Sequence, residues 1–133
     1  MDNQKFIKIV IADDHDVYRR GLQIYINDTK GMKITEGYNC GNALLNSSNL
    51  EENDVLILDI SMPDISGIDI LRILKDRKIN IKTIILSMHY SLPVITKAYE
   101  YGANSYVLKS SNPEEIIKAI IQVHKKGFYI SDY

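Results

Sequence analysis

Five polar side chains stand where apolar runs stop, and their types suit phosphoryl chemistry. Asp13 and Asp14 follow the first run, Asp59 ends the run Val55-Leu56-Ile57-Leu58, Ser87 follows Thr83-Ile84-Ile85-Leu86, and Lys109 follows Ser105-Tyr106-Val107-Leu108. An aspartate oxygen can attack phosphorus to give an acyl phosphate. That transfer needs a cation, an ammonium and a hydroxyl to neutralise and orient the phosphoryl oxygens. Three carboxylates brought together repel one another and resist ionisation. A divalent cation removes that penalty, and Mg²⁺ suits carboxylate, carbonyl and water oxygens. No cluster of His and Cys in the sequence competes for a softer metal. Taken singly, each residue has an ordinary role: Asp59 as a loop cap, Ser87 as a turn former, Lys109 as a surface lysine. Their joint placement after successive strands is what favours chemistry.

The elements that would position them alternate. Strands are expected at 6–11, 32–38, 54–59, 83–87 and 105–108. The third reads as a strand buried on both faces, which implies a parallel sheet covered by helices. The second is more polar and suits a sheet edge. Helices are expected at 17–27, 43–50, from Ser66 to about 78, from Ser91 to Gly102, and from Asn112 to about 126. In the first of these, Val17, Gly21, Leu22, Ile24 and Tyr25 can line one stripe. Ser66 and Asp69 form a capping pattern, and Asn112-Pro113-Glu114-Glu115 is a helix start. Ile116, Ile117, Ile120 and Val123 would face inward, and the spread with Ile121 leaves an isoleucine over for an interface. Strand followed by helix, five times, is an α/β doubly wound five-stranded parallel sheet with helices on both faces. Ligands bind beyond the carboxyl ends of such strands, which is where the five polar residues lie.

A chain of 133 residues fits one domain with a real core. A net charge of −1 gives no general attraction to nucleic acid or anionic membrane. The single Cys40 excludes an intramolecular disulfide. No apolar run approaches spanning length and the start is polar, so a cytoplasmic protein without membrane attachment is expected. The tail at 127–133 fits either packing against the body or the start of a linker.

These motifs together resemble the receiver domain of two-component response regulators, in the subfamily with a LuxR-type helix-turn-helix output. Val10-Ile11-Ala12-Asp13-Asp14-His15, Asp59-Ile60-Ser61-Met62-Pro63 with Gly67, Leu86-Ser87-Met88-His89 and Gly102-Ala103-Asn104-Ser105-Tyr106-Val107-Leu108-Lys109 carry the resemblance, which covers essentially the whole chain. It implies a flavodoxin-like sheet of order 2-1-3-4-5. It implies Asp59 as phosphoacceptor and a Mg²⁺ site (Mn²⁺ as substitute) made by Asp13, Asp14, Asp59 and the backbone carbonyl of Ser61. Ser87 and Lys109 would contact the phosphoryl group, and Ser87 and Tyr106 would be the switch pair. Implied partners are a sensor histidine kinase, a second copy on activation, and DNA only through a C-terminal domain outside this chain. Such a domain is not a turnover enzyme: it phosphorylates itself from a donor and slowly loses the group.

Some positions vary from the common pattern. Ser87 keeps the hydroxyl of the more usual Thr without its methyl. Met88 is large and would narrow access to the phosphoryl group. Ser110 stands where Pro is frequent, which leaves the Lys109–Ser110 isomer open. His15 and His89 are candidate modulators at the pocket rim, neither needed as a metal ligand. Tyr99, Tyr101, Lys118 and His124 are candidates for a switched surface. Three other readings compete. A small-molecule phosphatase would want a second acid, but Ser61 stands two residues after Asp59. A nucleotide- or flavin-binding protein would want a glycine-rich phosphate loop, which is missing. An interaction module that no longer uses phosphate would not need the complete acid, hydroxyl and lysine set.

Overall fold

The computed structural model describes residues 5–131. Its strands are β1 (Ile7–Ala12), β2 (Met32–Tyr38), β3 (Val55–Asp59), β4 (Lys82–Ser87), β5 (Ser105–Leu108) and β6 (Tyr129–Ile130). Its helices are α1 (Asp16–Asn27), α2 (Gly41–Leu45), α3 (Gly67–Asp76), α4 (Leu92–Glu100) and α5 (Pro113–Lys126), with a 3₁₀ turn at Leu50–Glu52. One parallel sheet runs β2-β1-β3-β4-β5-β6. The expected order of the first five strands is therefore present, with a sixth strand beyond them.

Alternation along the strands explains the continuous apolar runs. Val10, Ala12, Leu56, Leu58, Ile85 and Tyr106 point into one core with α3 and α4. Ile9, Ile11, Val55, Ile57, Ile84, Leu86 and Val107 point into the other with α1 and α5. Side chains of successive strand residues leave opposite faces, so a strand covered on both sides must be apolar at every position. Every residue of β3 is buried. The polar β2 lies at the sheet edge, as its composition requires.

Local signals account for several ends. Ser66 Oγ accepts the Asp69 N–H at 3.2 Å and caps α3. Pro113 opens α5, and Gly127 closes it at φ 87°, a left-handed conformation that glycine adopts freely. No peptide bond among the described residues is cis, so Lys109–Ser110 is trans.

The face of α1 differs from expectation. Leu22 and Ile26 are buried and Tyr18 packs beside them. Val17 is 89% exposed and Ile24 71%. Gly21 and Tyr25 are exposed too, so only Leu22 of the expected stripe faces the core. Two apolar stripes share this helix, and tertiary contacts select one. The expected helix at 43–50 is shorter: α2 ends at Leu45, and Leu50 starts the separate turn. In α5 the inward set is Ile116, Ala119, Ile120 and Val123, while Ile117 and Ile121 are half-buried at its margin.

The tail packs against the body through residue 131; its last two residues lie outside the described range. Ser105 Oγ donates to the Tyr129 carbonyl at 2.6 Å, and Asn104 Nδ2 donates to the Gly127 carbonyl at 2.8 Å. The Glu115 carboxylate accepts from Tyr129 Oη at 2.8 Å and from Ser131 Oγ at 2.6 Å. Those two hydrogen bonds, with the Lys118 charge adding to them, hold Glu115 below the usual glutamate range. A depressed folded pKa means the stabilisation is present above the unfolded value of 4.5 and is lost as pH falls through the folded value. Acidification below pH 4.5 should therefore release β6 before the body unfolds. Amide exchange at Tyr129–Ser131 should rise under those conditions, and Glu115→Gln should raise it already at pH 7.

Candidate functional site

The carboxyl ends of β1, β3, β4 and β5 bring the five polar residues to one edge. Asp13 is fully buried just beyond β1, and its N–H donates to the Tyr38 carbonyl of β2 at 3.0 Å. Asp59 closes β3 and is 1% exposed. Ser61 N–H donates to Asp59 Oδ1 at 3.2 Å, which fixes the carboxylate plane and leaves Oδ2 toward the pocket. Gly67 permits the loop that follows: a Cβ there would stand 2.7 Å from the Asp59 carbonyl oxygen and 2.8 Å from Ile60 Cα. Asp64 ties the same loop to α2 by accepting the N–H groups of Gly41 and Asn42.

Lys109 is buried as well. Its Nζ stands 2.8 Å from Asp13 Oδ2 and 3.3 Å from Asp59 Oδ2. It also lies 4.9 Å from the centre of the Tyr18 ring. A cation over an aromatic face is attracted by the ring's quadrupole. Burial raises the Tyr18 phenol to about 12, helped by the charges of Asp13 and Asp59. Tyr18 and Arg19 escaped the sequence reading. Arg19 Nη1 donates to the Asp13 carbonyl and to Asp16 Oδ1, each at 2.8 Å. The available signal was their position in the first turn after the acid pair.

One ammonium does not balance the acids. Asp14 Oδ1 and Asp59 Oδ2 are buried atoms with no hydrogen bond among the described residues. Burial raises Asp59 from 3.8 to about 6, and the Asp13 charge adds to this; the Ser61 N–H and Lys109 oppose it and lose. Added positive charge beside Asp59 would therefore be favourable. Asp13, Asp14, His15 and Asp59 each offer a ligand atom, all within 4.8 Å of one another. Buried carboxylate oxygens without hydrogen bonds fit a divalent cation of the Mg²⁺ type. His15, expected at the pocket rim, lies beside these acids. Its Nδ1 is 3.2 Å from Asp13 Oδ1, 3.4 Å from Asp14 Oδ1 and 3.0 Å from Lys109 Nζ.

The fourth strand supplies a second group. Ser87 is buried, and its hydroxyl donates to the His89 carbonyl at 3.0 Å and accepts the His89 N–H at 3.1 Å. Tyr106 is fully buried, already turned inward, and its Oη donates to the same His89 carbonyl at 2.9 Å. Burial raises the Tyr106 phenol, with a hydrogen bond to Ser87 working the other way. His89 therefore meets both Ser87 and Tyr106 through its backbone. Met88 is 61% exposed. Tyr99 and Tyr101 pack partly against the core, while Lys118 and His124 are exposed.

An open parallel sheet with an acid, lysine and hydroxyl pocket at its carboxyl edge defines a phosphoacceptor type of signalling domain. The chain belongs to the response regulator receiver domain family, whose sequence profile matches residues 9–121. It is 30% identical to the response regulator UvrY of Escherichia coli K12 over 125 residues, covering 94% of this chain and 57% of that protein. It is 31% identical to the response regulator GacA of Pseudomonas aeruginosa, covering 94% and 58%. A LuxR-family two-component response regulator from Aurantimonas sp. SI85-9A1 superposes with a TM-score of 0.87 at 25% identity, covering 96% of this chain and 90% of that one. A LuxR-family DNA-binding response regulator from Staphylococcus aureus gives 0.83 at 26%, covering 90% and 100%. The chain spans somewhat more than half the length of these two curated relatives. No helix among the described residues is long and apolar enough to cross a membrane.

The raised Asp59 pKa predicts a stability effect of defined sign. An acid whose folded pKa lies above its unfolded value costs stability once pH exceeds both. Asp59→Asn should therefore stabilise the cation-free domain at pH 7, on the order of 1–3 kcal/mol. Thermal melts with and without Mg²⁺ check this, and the advantage should shrink when Mg²⁺ is added.

Proposed function

We propose that this domain is the phosphorylation-controlled switch of a longer response regulator. A sensor histidine kinase supplies the phosphoryl group, and Asp59 Oδ2 receives it. The P–N bond of the phosphohistidine breaks as the Asp59 O–P bond forms, and the freed imidazole keeps the electron pair and takes a proton. The carrying observation is Asp59 Oδ2 itself: buried, without a hydrogen bond, and 3.3 Å from Lys109 Nζ.

Asp13, Asp14, Asp59 and the Ser61 carbonyl would hold Mg²⁺. The ion, when bound, neutralises the carboxylates and the phosphoryl oxygens. Lys109 orients the group from the other side and pairs with it after transfer. Ser87 then has a stronger acceptor than the His89 carbonyl. Its hydroxyl leaves that carbonyl, and Tyr106 keeps the bond alone. The loop 87–91 and α4 would follow, changing the α4–β5–α5 surface. We assign the output to a second copy of the domain and to a DNA-binding domain reached through the tail at 127–133, so that transcription follows phosphorylation. Similarity to LuxR-family regulators supports this reading.

Incubation with acetyl phosphate should give one Mg²⁺-dependent phosphoryl addition by intact mass. Asp59→Asn should abolish it, and Lys109→Ala should reduce its rate at least ~tenfold. Catalytic turnover of a small phosphate ester, unaffected by Asp59→Asn, would contradict the proposal.

A further inference from the structure

Helix α1 carries an apolar stripe that the domain itself does not use. Val17 is 89% exposed, Ile24 71% and Tyr25 39%. With Gly21 they form one exposed stripe, apart from the buried face of Leu22 and Ile26. Single exposed apolar residues are ordinary, whereas a contiguous set marks an interaction surface.

Gly21 adds an independent observation. Glycine is a poor residue for a helix interior. The fold does not require it here: its φ is not positive, and a Cβ would meet nothing within 4 Å. Its bare backbone leaves an open hollow of about 520 Å³, lined by Gly21, Ile24, Tyr25, Asn27 and Asp28. A hollow beside a protruding Ile24 can take a side chain from a second helix and lets the two backbones approach closely.

The charges name the occupant. Arg20 and Asp28 flank the stripe and are exposed, and neither makes an ion pair or a side-chain hydrogen bond among the described residues. Knob and hollow, cation and anion, thus lie on the same helix. A twofold contact needs a patch of that kind, one that complements itself. An antiparallel pairing that seats Ile24 over Gly21 of a second copy brings Arg20 within three positions, about 4.5 Å of helix rise, of the level of Asp28 of that copy. An arginine side chain spans that gap, and the symmetry repeats the bond.

We propose that α1 is a docking surface for a second copy of this domain, paired antiparallel through Val17, Gly21, Ile24 and Tyr25 with reciprocal Arg20–Asp28 bonds. The contact is separate from the Asp59 pocket and from the α4–β5–α5 surface, so it forms without phosphorylation. One helix from each copy covers less than the ~1,200 Å² of a stable complex, so the pair is weak, with a dissociation constant on the order of 100 μM.

Sedimentation equilibrium of the 133-residue chain over a concentration series tests this. The unmodified chain should self-associate. Ile24→Glu, Arg20→Glu and Asp28→Arg should each weaken association at least ~tenfold while the variants stay folded by circular dichroism. Gly21→Leu should fill the hollow and do the same. An equimolar mixture of Arg20→Glu with Asp28→Arg should recover the unmodified association, because both cross pairs are then opposite in sign. Asp59→Asn should leave it unaltered. A chain that stays monomeric to ~1 mM, charge reversals without effect, or a mixture that recovers nothing would overturn the assignment and leave the phosphoacceptor reading intact. A monomer whose stripe is covered only by a partner protein's helix contradicts it equally.

Discussion

Three carboxylates forced together at a sheet edge, against one buried lysine, set the terms for the rest of the molecule. Asp13 and Asp59 are nearly inaccessible to water, so solvent cannot screen their repulsion. Lys109 Nζ sits between them and meets Asp13 more closely than Asp59. Burial, with the Asp13 charge adding to it, raises the Asp59 pKa to about 6 despite that ammonium. A buried charge short of partners is costly and is retained for function more readily than for stability. The pocket is a place where added positive charge would improve the electrostatics.

The fold supplies what this arrangement needs. Parallel strands put four carboxyl ends on one edge, and helices on both faces make those ends the accessible polar region. The switch point between β1 and β3 holds the acids, because those neighbouring strands send their connections to opposite faces. The β3–α3 loop can turn back tightly only because Gly67 has no side chain. A second polar knot lies one strand away, where Ser87 and Tyr106 share the His89 carbonyl. A hydroxyl that bonds one carbonyl weakly can be drawn to a stronger anion. In the proposed mechanism that competition would carry charge at Asp59 to the surface around α4.

Much of this was legible in the sequence because the alternation of strand and helix shows in local signals, whereas the sheet order 2-1-3-4-5 rests on the family resemblance. Apolar runs ending in Asp13, Asp59, Ser87 and Lys109 mark the strands and the edge together. Less was legible wherever long-range contacts decide. Val17, Ile24 and Tyr25 make as good a stripe as Tyr18, Leu22 and Ile26. The choice falls to Tyr18 beneath Lys109 and to Arg19 bound to the Asp13 carbonyl. The two-residue β6 has almost no propensity signal of its own; Ser105, Asn104 and Glu115 hold it from other elements. The place of His15 depends on a rotamer, and no spacing rule reports one.

The most direct test of the central claim is a crystal structure of the domain with Mg²⁺ and beryllofluoride, a phosphoryl mimic. The electrostatic account predicts the mimic bonded to Asp59 Oδ2 and the cation against Asp14 and Asp59. Lys109 should lie on the mimic, and the Ser87 hydroxyl should have left the His89 carbonyl. A cation seated away from the acids, or a mimic on any residue other than Asp59, would contradict it.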